Sequence, residues 1–380
     1  MLILSYDLRG IFNKDITPKI TKKIIFLFKR KVKKQEIFLS HDLNEKSLII
    51  KEFLLKEFNF LKSLEALPSP LFYFWCLKEK KPGIMITASH LPKDYVGFKF
   101  ILPNGYPWKP PKLNENKDDS KYLFKKIKPK INNKIYKIYF ETLKRKVKSK
   151  KKTLVNFNLK NKFLKTALPY FSSLKIIHNK QADFSVSADQ DGDRLYFKYK
   201  NKNIPLDLIF YFLSLDKKYQ KIGVPVYFSK KLEKELKKAN KKIYYLPTGH
   251  YFFKKGFFKY KLDLAFEPSG HFYFFKDLKT EAPYLALIKF FQMINFEEFL
   301  KMLNELKLER FSLKFKNINL EKIVYNLKEK FGFRIKKFDG YLLIKEDCWL
   351  HLRKSSTENV LRVTIEGENL KFYKKWLSKK

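Results

Sequence analysis

Gly83-Ile84-Met85-Ile86-Thr87-Ala88-Ser89-His90-Leu91-Pro92 is an apolar run that tapers into small residues and stops at a proline, with Tyr95-Val96-Gly97-Phe98-Lys99 close behind it. A run of this kind is a buried strand leaving its sheet for a loop, and loops at strand ends are where reacting groups are usually held. Ser89 is therefore the candidate reacting residue. Toward the N-terminus, residues 36–40 read as a strand, 47–64 as an amphipathic helix and 71–78 as a second helix. With the strand at 84–87 they make a parallel strand-helix-strand unit. Residues 109–130, rich in Pro, Lys and Asn, read as a long surface connection, and 135–148 as a basic helix leading out of the first unit.

The 380 residues, 45% of them hydrophobic, suffice for about two to four domains with cores of their own. The net charge is +44, from 82 Lys and Arg against 38 Asp and Glu, which raises nucleic acid as a partner because clustered cations release counterions from phosphate backbones. The charge, however, is spread through the whole chain, together with abundant Phe, Ile, Asn and Tyr and only 12 Gly, as an AT-rich coding sequence would produce. That spread argues against nucleic acid. Only eight of the cations are arginine, and Arg9, Arg194, Arg353 and Arg362 all fall in the motifs described below. A planar fork suits phosphate and carboxylate better than a point charge does. Cys76 and Cys348 lie far apart without metal-ligand spacing, which favours a reduced, cytoplasmic setting. The first residues turn acidic too soon for a signal peptide and the apolar run at 24–28 is far short of a span, so no membrane attachment is expected.

A second α/β unit starts at 154–157, passes a helix at 163–171 and reaches 184–188 before an acidic loop. The third has helices at 206–215 and 230–238, strands at 224–228 and 243–246, and two helices within 282–306. The last has a helix at 320–331 stopped by Gly332, hairpin-like alternation through Asp339-Gly340 to residue 352, a strand at 360–365 and a terminal helix. That pattern is α+β rather than doubly wound. The boundaries fall at 1–146, 147–203, 204–308 and 309–380.

Five further stretches carry chemistry. In Asp189-Gln190-Asp191-Gly192-Asp193-Arg194, carboxylates at alternate positions of a tight loop suit one hard divalent cation, Mg2+ rather than Zn2+, a solvated acidic turn being the alternative. The spacing also resembles the start of an EF-hand, but position six is Arg194 instead of Gly and position twelve is Lys200 instead of Glu. Thr248-Gly249-His250, with Lys254 after it, and Glu267-Pro268-Ser269-Gly270-His271 are polar loops suited to gripping sugar hydroxyls; each histidine alone could simply pack or cap. Arg353-Lys354-Ser355-Ser356-Thr357-Glu358, then Arg362, sets guanidinium beside hydroxyls and backbone amides as an anion nest. Tyr6-Asp7-Leu8-Arg9-Gly10 opens the chain.

Together these stretches resemble, in order, the motifs of the alpha-D-phosphohexomutase family: Y-D-I-R-G, T-A/G-S-H-N-P with Y-N-G-F-K, D-x-D-x-D-R, T-G-H-x-x-x-K, G-E-M-S-G-H and R-x-S-N-T-E-P. The pairing of T-G-H with S-G-H is nearer the phosphomannomutase/phosphoglucomutase branch than phosphoglucosamine mutase. The resemblance implies three related mixed-sheet α/β domains and a smaller C-terminal α+β domain around a central cleft. It implies a phosphoryl group carried on Ser89 and passed to a hexose monophosphate of mannose or glucose, giving a hexose 1,6-bisphosphate that turns over in the cleft and returns its other phosphate.

Under that resemblance Asp189, Asp191 and Asp193 would hold Mg2+ with the phosphoserine, and Arg194 would neutralise the phosphate. Lys99, Arg9 and His271 would serve proton transfer and transition-state charge, with His90 supporting the loop and cationic surroundings easing a proton off Lys99. Thr248, Gly249, His250, Glu267, Ser269 and His271 would grip the sugar; Tyr6, Arg353, Ser355, Ser356, Thr357 and Arg362 would bind its phosphate. A monomer or weak homo-oligomer is expected.

Departures from the pattern are Leu91 and Val96, each for Asn, and Phe266 for Gly with Pro268 for Met, a pair that would narrow or re-aim the sugar loop. Others are Ser40-His41-Asp42 for G-R-D, Ser356 for Asn, Asn359 for Pro, and a shortened second domain. The alternatives are a phosphoglucosamine mutase, or a diverged inactive relative that binds anionic partners through its basic surface.

Overall fold

The computed structural model describes residues 3–4, 8–33, 35–88, 92, 94–111, 120–123, 128–147, 151–314, 319–355 and 359–378. Strands β1 (Ile3–Leu4), β2 (Leu8–Ile11), β3 (Ile37–His41), β4 (Leu61–Ala66), β5 (Gly83–Thr87) and β6 (Tyr95–Ile101) form one sheet in the order β1-β2-β6-β5-β3-β4. Strand β3 runs parallel to β4 and β5, as a strand-helix-strand unit requires, and β5, β6 and β2 are antiparallel. Helices α1 (Pro18–Val32), α2 (Glu45–Glu57) and α3 (Ser69–Glu79) connect these strands, and α4 (Asn133–Lys144) follows.

Two expectations for this unit fail. The helix read at 47–64 stops at Glu57, and its last residues are strand β4. Leu61 and Leu64 are three apart and look helical, but the pairing of β3 with β4 shifts register between Leu39 and His41, and Glu65 takes φ +59. That irregularity breaks the two-residue alternation by which a strand is recognised. Nor is the connection at 109–130 wholly superficial. Tyr122 is buried, with its ring stacked on Phe12 at 5.3 Å and edge-on to Phe53 at 5.2 Å, and its hydroxyl bonded to Thr21.

The second sheet has β7 (Thr153–Phe157), β8 (Ile176–His178), β9 (Phe184–Ala188), β10 (Leu195–Tyr199) and β11 (Lys202–Asn203), in the order β11-β10-β9-β7-β8, with α5 (Lys162–Ser173) between β7 and β8. After α6 (Leu206–Ser214), the third sheet is built from β12 (Lys221–Pro225), β13 (Lys242–Leu246), β14 (Leu264–Glu267), β15 (His271–Phe274) and β16 (Thr280–Glu281). Its order is β13-β12-β14-β15-β16. The helices of this unit are α7 (Lys230–Lys238), α8 (His250–Tyr260), α9 (Phe275–Leu278), α10 (Pro283–Met293) and α11 (Phe296–Glu305). The fourth sheet is antiparallel throughout, ordered β17-β21-β20-β19-β18, from β17 (Leu308–Lys314), β18 (Arg334–Lys337), β19 (Tyr341–Ile344), β20 (Cys348–Lys354) and β21 (Val360–Gly367). Helices α12 (Leu320–Phe331) and α13 (Leu370–Ser378) cover it, and Gly332 ends α12 at φ +71. The fold class is thus three mixed α/β units and a C-terminal α+β unit.

One continuous core runs through the first three units. Tyr73 of α3, Tyr136 and Phe140 of α4, Phe171 of α5 and Tyr284 of α10 belong to a single buried cluster, and Phe140 stacks on Tyr284 at 5.7 Å. The fourth unit keeps a core of its own around Leu327, Leu350 and Ile365. It meets the third through a small apolar cluster of Val226, Leu342 and Trp349 and through charged groups. Arg310 of β17 forms a bidentate pair with the fully buried Asp207 of α6, at 2.6 and 2.9 Å. Glu366 of β21 accepts from the backbone N–H of Lys230 and from Ser229, so it caps α7 from another sheet. No helix among the described residues is long and apolar enough to cross a membrane.

Candidate active site

Each sheet delivers its motif in the turn between two neighbouring strands. Ser89, His90 and Leu91 lie in the β5–β6 connection but outside the described residues, as do Tyr6, Ser356 and Thr357. The residue before Ser89 is tied down: Ala88 donates its N–H to Asp42 Oδ2 at 2.9 Å, and Asp42 is fully buried, which pushes its carboxyl pKa up. Asp42 is the one residue kept where G-R-D was the expected pattern.

Lys99 on β6 reaches across to the β9–β10 turn. Its Nζ lies 2.8 Å from both Asp191 Oδ2 and Asp193 Oδ2 and 3.4 Å from the Ser69 hydroxyl. Two carboxylates and a hydroxyl are thus among its partners, where cationic surroundings were anticipated. Ser69 and Thr87 also donate to Asp191 Oδ2, at 3.1 and 3.2 Å. The other oxygens, Asp189 Oδ2, Asp191 Oδ1 and Asp193 Oδ1, are buried without a hydrogen bond, and the three carboxylates lie within 4.8 Å of one another. Three unbonded hard oxygens converging this way fit a hard divalent cation.

Burial and the other two carboxylates raise the pKa of Asp189 well above the usual range. Asp193, although buried, is held well below it by Lys99, His271 and Arg194. Gly192, at φ +69, allows the turn and leaves no room for a side chain, since a Cβ would stand 2.9 Å from Pro68.

Arg194 links this turn to the β14–β15 turn. Its Nε donates to His271 Nε2 at 3.1 Å and lies 3.7 and 3.8 Å from Asp189 and Asp193. The two turns touch backbone to backbone, Leu195 N–H to Gly270 carbonyl at 3.3 Å, and Gly270 at φ +109 would put a Cβ 2.9 Å from Arg194 Cβ. Burial works against charge on His271, but Asp193 and Glu281 carry its pKa above the ordinary value; burial lowers that of His250. Both rings face Glu281 of β16, a buried carboxylate that sequence reasoning passed over.

Phe266 does not narrow the sugar loop. Strand alternation turns it into the core, where it stacks on Phe210 at 5.0 Å, and presents Glu267 to the cleft.

These turns surround a cavity of about 460 Å3. Arg9 and Lys99 line one wall, and Asp193 with Arg194 the next. The third unit contributes Thr248, Gly249, His250, Glu267, Ser269 and His271; the fourth contributes Arg353, Ser355 and Arg362. The Thr248 hydroxyl and N–H are both taken by Asp339, in the β18–β19 turn, which joins the third and fourth units at the cleft. Tyr227, Arg310 and His351 also line it and were not anticipated. For Arg310 a signal existed: it is another of the few arginines in a lysine-rich chain.

Comparison with known proteins adds a family. The phosphoglucomutase/phosphomannomutase model for alpha/beta/alpha domain I matches residues 2–121, and that for domain III matches residues 208–311. Phosphomannomutase of Methanocaldococcus jannaschii is 25% identical, with 98% of this chain and 95% of that protein aligned. Phosphoglucosamine mutase of Dictyoglomus turgidum is 22% identical over 96% of this chain and 94% of that one. Among solved structures, a phosphoglucomutase/phosphomannomutase family protein of Burkholderia thailandensis superposes with a TM-score of 0.74 at 16% identity, covering 99% of this chain and 96% of its own.

Proposed function

The chain belongs to the alpha-D-phosphohexomutase family and is an isomerase of the phosphoglucomutase/phosphomannomutase kind, and on that premise we propose that it interconverts hexose 6-phosphate and hexose 1-phosphate, of mannose or glucose, through a phosphoserine at Ser89. The observation that carries this is the composition of the cavity, which is lined by Lys99 and Arg194 beside Asp193, by Arg353, Ser355 and Arg362 of another unit, and by the loop bearing Glu267, Ser269 and His271. A sugar with a phosphate at each end matches that arrangement, and a half-turn of the sugar exchanges the two phosphates.

The chemistry asked of the chain is modest. A sugar hydroxyl oxygen attacks the phosphorus on Ser89, and the bond from phosphorus to Ser89 Oγ breaks. The hydroxyl proton passes to a base, for which His271 is placed, while the departing serine oxygen takes a proton from Lys99. Arg9 and Arg194 offset charge on the phosphoryl oxygens. Asp189, Asp191 and Asp193 would hold Mg2+ through their unbonded oxygens, and the ion would draw further charge from the phosphoryl group.

The test is turnover of mannose 1-phosphate, glucose 1-phosphate and glucosamine 1-phosphate, with a hexose 1,6-bisphosphate and Mg2+ present. Mannose or glucose phosphate should be preferred, and Ser89→Ala should abolish turnover. Preference for glucosamine phosphate would move the chain to that branch; full activity in Ser89→Ala would remove the phosphoserine.

A further inference from the structure

Glu281 has no place among the family motifs read from the sequence, yet it is fully buried at the floor of the site. Strand β16 sets it beside Tyr273 of β15, under the turn that bears His271. One of its oxygens, Oε2, lies at ion-pair distance from both rings, 3.1 Å from His250 Nδ1, which the Tyr273 hydroxyl also meets at 3.3 Å, and 3.5 Å from His271 Nδ1; among the described residues neither Glu281 oxygen nor His271 Nδ1 makes a hydrogen bond. The far side of the His271 ring is fixed by a different group, the Nε of Arg194, 3.1 Å from His271 Nε2. A guanidinium can only donate, so this contact requires the lone pair on Nε2. The ring proton must then sit on Nδ1, and the acceptor nearest to it is Glu281, with Asp193 Oδ1 further away at 3.9 Å.

We propose that Glu281 is a positioning residue of this site: it holds His271 as the Nδ1–H tautomer and turns the Nε2 lone pair toward the cleft, while facing His250 with the same oxygen. The inference rests on the phosphohexomutase reading for its catalytic consequence, but not for the tautomer. Which ring nitrogen is free to act is set by what the other one bonds. With Nδ1 committed to Glu281, the nitrogen that meets a sugar hydroxyl is Nε2, reached when Arg194 swings to a phosphate. Burial makes the arrangement firm, because a carboxylate without water must keep the partners it has. His250, His271 and Lys254 hold the Glu281 pKa well below the usual range in spite of that burial.

The same three side chains have the composition of a metal site, with ligand atoms within 4.8 Å of one another. Coordination through His271 Nδ1 would force the proton onto Nε2, against the Arg194 N–H, and that contact therefore favours an ion-paired arrangement over a metal.

The chain has six histidines, so 15N-histidine labelling gives a spectrum simple enough to assign by single substitutions. In the wild-type protein His271 should appear as the Nδ1–H tautomer. Glu281→Met, similar in size but without an acceptor, should lose that signature and lower kcat about 100-fold with KM changed less than about threefold. Glu281→Gln keeps an oxygen and should retain the tautomer and most of the activity. An Nε2–H signal in the wild type, an unchanged His271 spectrum in a folded Glu281→Met, or stoichiometric Zn2+ shifting both His250 and His271 would each overturn the proposal. If Glu281→Met does not fold, the wild-type tautomer and Glu281→Gln still decide. If the wild type turns over no hexose phosphate but shows the tautomer, the functional reading falls and the role of Glu281 stands.

Discussion

Lys99 touches Asp191 and Asp193 through one oxygen each and leaves the other oxygen of each carboxylate unbonded. It therefore both neutralises the acidic turn and aims it. Removing one partner of a buried ion pair costs about 3–5 kcal/mol because the remaining charge is uncompensated. Lys99→Met should accordingly melt well below the wild type in EDTA, and added Mg2+ should raise the variant's melting temperature by more than the wild type's. Equal shifts in the two proteins would mean that lysine and metal act on different groups. Much of this site was legible in the sequence, because three acids in five residues stand out in a chain of net charge +44. Ser69 and Thr87 were not: hydroxyls are common, and these two lie 122 and 104 positions from the carboxylate they serve. Glu281 escaped for the same reason, as a lone acid becomes informative only when folding sets it under two imidazoles.

At the scale of elements, local patterns carried some features and misled on others. Helix α12 could be placed because its apolar spacing and its glycine stop are both local signals. Strand β4 was lost to a helix because its register shift depends on a partner strand elsewhere in the chain. The contacts between elements that matter most are also non-local. The pair between β17 and α6 joins Arg310 to Asp207, whose carboxylate is inaccessible to water and also accepts from Ser229 N–H. Arg310→Met should cost about 3–5 kcal/mol in the unit that carries β17, measured by denaturant unfolding followed at the C-terminal tryptophans. A loss below about 1 kcal/mol would mean that the seam is held by the Glu366 cap instead.

For the whole molecule, the order of the motifs already pointed to four units, but not to how they share stability. The aromatic cluster linking α3, α4, α5 and α10 binds the first three together, whereas the fourth has a separate core and a smaller seam of charged pairs around Val226, Leu342 and Trp349. Calorimetry should resolve two transitions, the smaller belonging to residues beyond the seam; a single two-state transition would contradict this. Both should weaken in mild acid. His41 in the first unit and His351 in the fourth are buried, and burial pushes each pKa down to about 4. The unfolded chain takes up protons near the ordinary value of 6.5, so this stability is whole above that pH and is lost as pH falls toward 4, by at most about 3 kcal/mol per histidine. His351→Asn should flatten the acid slope of the smaller transition and leave that of the larger one. The seam has a consequence for descent as well. A chain drifting toward lysine and phenylalanine must rewrite much of its first three units in concert, since one buried aromatic cluster joins them, whereas the last keeps most of its core to itself. The arginine-bearing wall proposed to hold a phosphate is thus the side of the cleft most free to drift.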